Sequence, residues 1–226
     1  MNRKIAKSWK SMGPPPGQSY TQWFAEKMDG RIEKNPDAFY HPWRLYQLQY
    51  LQAQGLTESS DLLDYGCGPC GAGVFMIEFL ETGRYIGADI SARCIERARD
   101  FLQSKGLTEK RPTLVHLQGG DMSVLRGRTF DFIWAQSVLT HMPPDNVREL
   151  LREIPNLLRG GGMFLGTFNL SLENRQVGAK NFYYRADFFD EACSAAGLRH
   201  SIERDYNHPN DPCTPGREFA VLRIVK

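Results

Sequence analysis

No stretch of the 226-residue sequence approaches the ~18 apolar residues of a bilayer-spanning helix, and the start, with Lys4, Lys7, Trp9 and Lys10, lacks the apolar run of a secretory signal. A soluble, cytoplasmic protein without a membrane partner is expected. An excess of either charge is lacking too, with 28 Lys and Arg against 26 Asp and Glu. The formal net charge of +2 is too small for a nucleic-acid groove, where counterion release calls for a clustered basic face. Arg93, Arg97 and Arg99, then Lys105, Lys110 and Arg111, have helical spacing and read as a solvated face. Cysteine is sparse: five residues, an odd number without a regular framework, exclude a disulfide scaffold and fit a reducing compartment. Cys67 and Cys70 form a C-x-x-C, but no second pair stands at ligand spacing, so no metal site is expected.

What is present suffices for one sizeable core, with 41% apolar and 24% charged residues. Residues 1–18 read as a flexible arm, because Gly13-Pro14-Pro15-Pro16-Gly17 fits neither helix nor strand. Residues 19–58 read as two helices. Ser19 or Thr21 caps the first, through Trp23, Phe24 and Met28, and the second follows His41-Pro42 with Leu45, Leu48 and Leu51. Residues 59–226 hold the main domain, organised around Leu62-Leu63-Asp64-Tyr65-Gly66-Cys67-Gly68-Pro69-Cys70-Gly71-Ala72-Gly73. This is a short apolar strand, a glycine loop and a helix beginning with Phe75, Met76, Phe79 and Leu80. Gly66 and Gly68 leave no side chain between the main chain and a ligand, and the helix start favours a negative group.

Two cofactor classes fit such a loop. Gly66-x-Gly68-x-x-Gly71 satisfies the dinucleotide fingerprint, yet Asp64, just before the first glycine, would repel a pyrophosphate and accept bonds from a cationic amino group. With that acid the stretch resembles the first motif of class I S-adenosylmethionine-dependent methyltransferases, acid-x-Gly-x-Gly-x-Gly, with Cys70 standing where the third glycine would be. The resemblance covers roughly residues 60–226. It implies S-adenosylmethionine as cofactor, S-adenosylhomocysteine as product, and Asp64, Gly66, Cys67 and Gly68 near the methionine end. It also implies a lid formed by residues 19–58, with Tyr20, Trp23, Tyr40, His41 and Trp43 as candidate pocket walls and Tyr20 against the cofactor.

The chain then alternates strand and helix. Arg84-Tyr85-Ile86-Gly87-Ala88-Asp89 is a second strand ending in an acid that can accept both hydroxyls of a ribose, with Ile90 against the adenine and Ser91 capping the next helix. After Thr113–Leu117, Asp121 matches the family's acid for the adenine amine and Met122 the residue beside the ring. Phe130–Ala135 is a fourth strand, whose end places Ala135, Gln136, Ser137 and His141 at the site. The Asn/Asp-Pro-Pro-aromatic motif of enzymes methylating exocyclic base amines is missing there, which disfavours that chemistry. Pro143-Pro144 opens a helix through Val147, Leu150, Leu151, Ile154 and Leu157 to Gly160, interrupted by Pro155, where a kink or an opened last turn is expected. A fifth strand spans Met163–Phe168, a long loop Asn169–Asn181, and a helix contains Phe188 and Phe189.

The chain closes with two strands, about 199–206 and 217–225, joined so directly that they must be antiparallel. The expected fold is therefore α/β: a Rossmann-like, doubly wound seven-stranded sheet with a C-terminal antiparallel hairpin and N-terminal lid helices. The run Tyr85–Ser91 together with Trp134–His141 looks like bacterial methyltransferases found with polysaccharide or secondary-metabolite genes. The implied function is methyl transfer, as O-methylation, to a small-molecule or glycan acceptor by a monomer or homodimer. His141 is the first choice of general base, since histidine is the side chain that titrates near neutrality; His208, Tyr183 and Tyr184 are weaker candidates. The alternatives are a protein or RNA methyltransferase and a non-catalytic cofactor-binding module.

Overall fold

The structure, a computed structural model, describes residues 13–204, Tyr206 and residues 218–226. The first twelve residues of the expected arm, the 207–216 connection and His208 lie outside the described residues. The five expected parallel strands form, as β1 (Leu62–Tyr65), β2 (Tyr85–Asp89), β3 (Thr113–His116), β4 (Phe130–Ala135) and β5 (Leu158–Leu170). They lie in the order β3-β2-β1-β4-β5.

Three strands differ from the sequence reading. β5 is longer than expected at both ends, and the segment read as a loop contains a short ribbon, β6 (Arg175–Val177) and β7 (Asn181–Tyr184). β7 runs parallel to β5 at Asn169 and Leu170, beyond the end of β4. On its other edge β5 pairs antiparallel with β9 (Glu218–Val225), which pairs antiparallel with β8 (His200–Glu203), the expected terminal hairpin.

Both faces of the sheet are covered, as parallel strands require. Alternation along β4 sends Ile133 and Ala135 to one face, with Leu63, Phe164 and Phe168, under α5 (Pro144–Leu157) and α6 (Ala186–Ala195). Phe132 and Trp134 go to the other, with Leu62 and Leu165, against α2 (Leu45–Ala53), α3 (Gly73–Phe79) and α4 (Ala92–Ser104). The Trp134 indole N–H donates to buried Gln47 Oε1 at 2.9 Å, pinning α2 to the sheet. Pro155 sits in the last turn of α5, which ends two residues later, and Lys226 Nζ donates to the carbonyls of Pro155 and Leu158. No helix among the described residues is long and apolar enough to cross a membrane.

The first helix, α1 (Tyr20–Lys34), starts at Ser19, whose hydroxyl accepts from the Gln22 amide. It lies across α4. Asp29 Oδ1 accepts from the Ser91 hydroxyl at 2.5 Å and from the Arg93 amide at 3.3 Å, and Arg97 meets Asp37 at 2.9 Å. Since a hydrogen bond to a charged group contributes about 1.5–3 kcal/mol, Asp29→Ala should speed amide exchange in α1 by roughly tenfold or more while leaving the sheet protected. Hydrogen–deuterium exchange read by mass spectrometry checks this; equal protection of α1 in both proteins would show that the latch does not hold it.

Candidate active site

The carboxyl ends of β1, β2 and β4 open into a cavity of about 1190 Å³, roofed by α1 and the turn before α2. That exceeds the ~300–1,000 Å³ of ordinary ligand pockets, so it has room for a cofactor and a second small molecule. Its floor is the glycine loop. Gly66, at φ +79°, and Cys67 donate their amides to the Ala88 carbonyl, which folds the loop back over β2. Gly68, at φ +55°, has nothing within 4 Å of where a Cβ would stand, so the main chain there is bare to the cavity. Cys70 occupies the left-handed region at φ +59°, which explains why the family's motif has glycine at that place. At Gly71 a Cβ would fall 2.0 Å from the Phe39 carbonyl oxygen, so only glycine lets the pre-α2 turn close down on the loop.

Asp89 is the acid on the wall. It is 8% exposed; Oδ2 accepts from the Gly68 amide and Oδ1 from the Ser91 amide, both at 2.8 Å. Burial pushes its carboxyl up, and those two amides oppose the push. Ile90, Asp121 and Met122 line the same cavity, as do Tyr20, Gly66, Cys67, Gln136, Ser137 and His141. Ser137, at φ +56°, is held in that strained conformation by its amide's bond to Thr167 Oγ1 at 2.7 Å and by Thr140 Oγ1 donating to its carbonyl. His141 Nδ1 lies 2.8 Å from the Lys180 carbonyl oxygen, and its ring packs 5.4 Å from that of Phe24.

Other expected residues lie elsewhere. Ala135 is fully buried in the core beneath α5. Trp23 is buried without lining the cavity, and Tyr40 stacks on Phe101 at 3.7 Å; of the expected walls, Tyr20, His41 and Trp43 are in place. Asp64 lies beneath the glycine loop instead of on the wall, 4% exposed, with Oδ2 accepting from the Tyr85 hydroxyl at 2.7 Å.

The sequence reading missed the basic groups. Tyr20, Phe24, Met28 and Arg31 form one stripe of α1 along the cavity, and Arg44, Arg126, Arg152 and Lys180 also line it. The buried hydroxyl of Tyr20 and the buried Nε of Arg44 have no hydrogen-bond partner. Such groups are costly unless a ligand satisfies them.

A family profile described as "Methyltransferase domain" matches residues 62–162, from β1 through the glycine loop into β5. Residues 62–162 thus carry a methyltransferase domain, within a chain whose fold is that of S-adenosylmethionine-dependent methyltransferases. Among curated methyltransferases, the probable methyltransferase ltbC of Aspergillus luteorubrus is 26% identical over 175 residues, 75% of this chain and 54% of that protein. The ribosomal protein L11 methyltransferase of Pectobacterium atrosepticum is 30% identical over 172 residues, 71% of this chain and 52% of its own. The chain thus spans about half the length of these relatives. The fold is shared with the magnesium protoporphyrin IX methyltransferase of Synechocystis solved with bound S-adenosylmethionine, at a TM-score of 0.69 and 12% identity, covering 94% of this chain and all of that one.

S-adenosylmethionine is the cofactor of this methyltransferase family, and the site fits it. The bare main chain at Gly68 accommodates a close approach, Asp89 supplies a fixed carboxylate, and Tyr20 and Arg44 supply unsatisfied donors. Asp64 gives this pocket a pH signature. Burial pushes its carboxyl up to about 7, against the Tyr85 hydrogen bond and the field of Arg44; the charge of Asp89 pushes it further up. The folded cofactor-free protein therefore binds a proton that the unfolded chain releases near the ordinary carboxylate value, so this contribution to stability is full below about pH 4 and lost as pH rises to about 7. Asp64→Asn should lose less stability over that window, measured by thermal unfolding without cofactor; identical slopes would refute the assignment.

Proposed function

We propose that this protein transfers a methyl group from S-adenosylmethionine to a hydroxyl of a small-molecule or sugar acceptor, with His141 as general base. The observation that carries this reading is the bond between His141 Nδ1 and the Lys180 carbonyl on the wall that also holds the glycine loop and Asp89. A carbonyl only accepts, so Nδ1 is the protonated nitrogen, and in the neutral tautomer the lone pair belongs to Nε2, the nitrogen that would take a hydroxyl proton.

When bound, the cofactor supplies a sulfonium methyl that is already electrophilic, so the chain's part is placement and dryness. In this reading Asp89 accepts the ribose hydroxyls, Ile90 and Met122 pack on the adenine, and Asp121 accepts from its amine. Cys67 and Gln136 shape the walls around it. Arg44 and Tyr20 receive the methionine carboxylate, Gly66 and Gly68 let the chain approach, and Asp64 lies beneath the loop, where the cofactor's ammonium would favour its ionised form. Residues 19–58 serve as the lid, and residues 59–226 as the cofactor-binding domain.

The test incubates the protein with S-adenosylmethionine and separate panels of phenols, sugars and protein substrates, and measures S-adenosylhomocysteine by chromatography. Formation with hydroxylated small molecules supports the proposal. Formation only with protein substrates would favour the second reading suggested by the L11 methyltransferase relative, and none with any panel would favour a non-catalytic binding module.

A further inference from the structure

Arg31, Arg44 and Lys180 stand among the five cations that line the cavity, the others being Arg126 and Arg152. The Arg31 guanidinium lies 4.7 Å from the Phe39 ring centroid and that of Arg44 lies 5.8 Å from the same centroid, so one ring bridges two positive groups. Lys180 reaches the cavity from the turn of the β6–β7 ribbon. None of the three forms an ion pair among the described residues. Elsewhere arginines find carboxylates readily: Arg84, Arg93, Arg97 and Arg159 each meet one at 2.7–3.0 Å. Four acids line the cavity as well, and among the described residues none forms an ion pair with these three cations. Asp89 is held by two amides, Asp121 by Ser123, and Glu149 and Glu153 belong to α5.

Like charges placed together repel; water and salt screen part of that cost, and an anion that enters between them removes more of it. The repulsion is visible in Lys180, whose ammonium is held below its ordinary value by burial and by the charge of Arg31. Arg44, with its buried Nε, is the member assigned above to the cofactor's carboxylate. Arg31 and Lys180 are left over, and both line the cavity while remaining exposed to solvent. Lys180 is also the residue whose carbonyl orients His141, so the charge it carries is tied by its own backbone to the base. Beside them Phe24, Phe39 and Trp43 offer apolar ring surface.

We infer that the methyl acceptor carries an anionic group, a carboxylate or a phosphate, gripped between Arg31 of α1 and Lys180 of the β6–β7 ribbon while its hydroxyl lies against His141. This rests on the methyl-transfer reading above and names the acceptor class for it. Arg31 and Lys180 act as specificity-determining residues. Because they come from two different elements, an acidic acceptor would also draw the ribbon toward the lid.

The experiment saturates the full chain with S-adenosylhomocysteine and titrates 4-hydroxybenzoate, its uncharged amide 4-hydroxybenzamide, and phenyl phosphate by calorimetry. At least one of the two anions is expected to bind about tenfold or more tightly than the amide, with affinity falling as salt rises, and the stronger of the two anions identifies the group. The Arg31→Gln/Lys180→Gln double variant is expected to lose that preference while binding S-adenosylhomocysteine within about twofold of the parent. Equal affinity for acid and amide, no binding of either anion up to millimolar concentrations, or a preference unchanged in the double variant would overturn the inference. A large loss of S-adenosylhomocysteine affinity in the double variant would also overturn it, by assigning both cations to the cofactor. Failure of the parent protein to bind S-adenosylhomocysteine at all would instead sink the methyl-transfer reading itself.

Discussion

Replacing Asp89 by alanine should lower S-adenosylhomocysteine affinity roughly 100-fold, the loss expected when one or two charge-assisted hydrogen bonds of about 1.5–3 kcal/mol disappear from a buried site. The reasoning is geometric. Each Asp89 oxygen already accepts one main-chain amide, from Gly68 or Ser91, and each retains a lone pair directed by that first bond. The loop and the start of α4 thereby fix both oxygens before any ligand arrives, so little ordering remains to be done on binding. Alanine removes the acceptors and also leaves the two amides unpaired, which loosens the loop. Asp89→Asn separates these effects, because its remaining oxygen satisfies one amide while the negative charge is gone. Isothermal calorimetry on both variants, with thermal unfolding as a control for folding, provides the measurement. Affinity within threefold of the parent in the two variants would remove Asp89 from the cofactor site.

The second large effect is expected at His141. His141→Ala should reduce kcat by about 10²–10⁴-fold, the usual contribution of a positioned base, with S-adenosylhomocysteine affinity unchanged because the residue stands on the acceptor's side. Added imidazole should restore part of the lost rate, which a residue that only packs against Phe24 would not show. Steady-state kinetics on whichever acceptor the panels reveal gives the answer. A variant that retains the parent's kcat would eliminate base catalysis at this position and leave placement alone as the source of rate.

The parts of this site legible in the sequence are those governed by local rules. Gly66, Gly68 and Asp89 were readable because a glycine turn after a buried strand, and an acid at the end of the next parallel strand, follow from neighbouring residues alone. Asp64 shows where such rules stop. Its nearest partner is the Tyr85 hydroxyl, 21 positions away, and nothing local distinguishes an acid facing a cavity from one lying under the loop. Ala135 fails similarly, since the alternation of β4 turns it into the core while Gln136 and Ser137, just past the strand, reach the wall.

The lid was half visible. Tyr20, Phe24, Met28 and Arg31 recur at helical spacing, but Trp23 next to Phe24 draws attention to the buried face of the same helix. The β6–β7 ribbon left almost no trace. Its strands are three and four residues long, β6 is fully exposed, and β7 is registered by Asn169 and Leu170 of β5, so tertiary pairing and not pattern creates it. Lys180 became part of the site through that pairing.

Ser91 is a junction. Its amide steadies Asp89, its hydroxyl donates to Asp29 of α1 and accepts the Cys94 amide at the head of α4. On the function proposed above, a molecule seated on Asp89 and the helix lying over it would be coupled through this one residue, main chain on one side and hydroxyl on the other. Departure of the spent cofactor would then wait on that clasp, and the pace of successive turnovers would belong to the doorway as much as to the chemistry behind it.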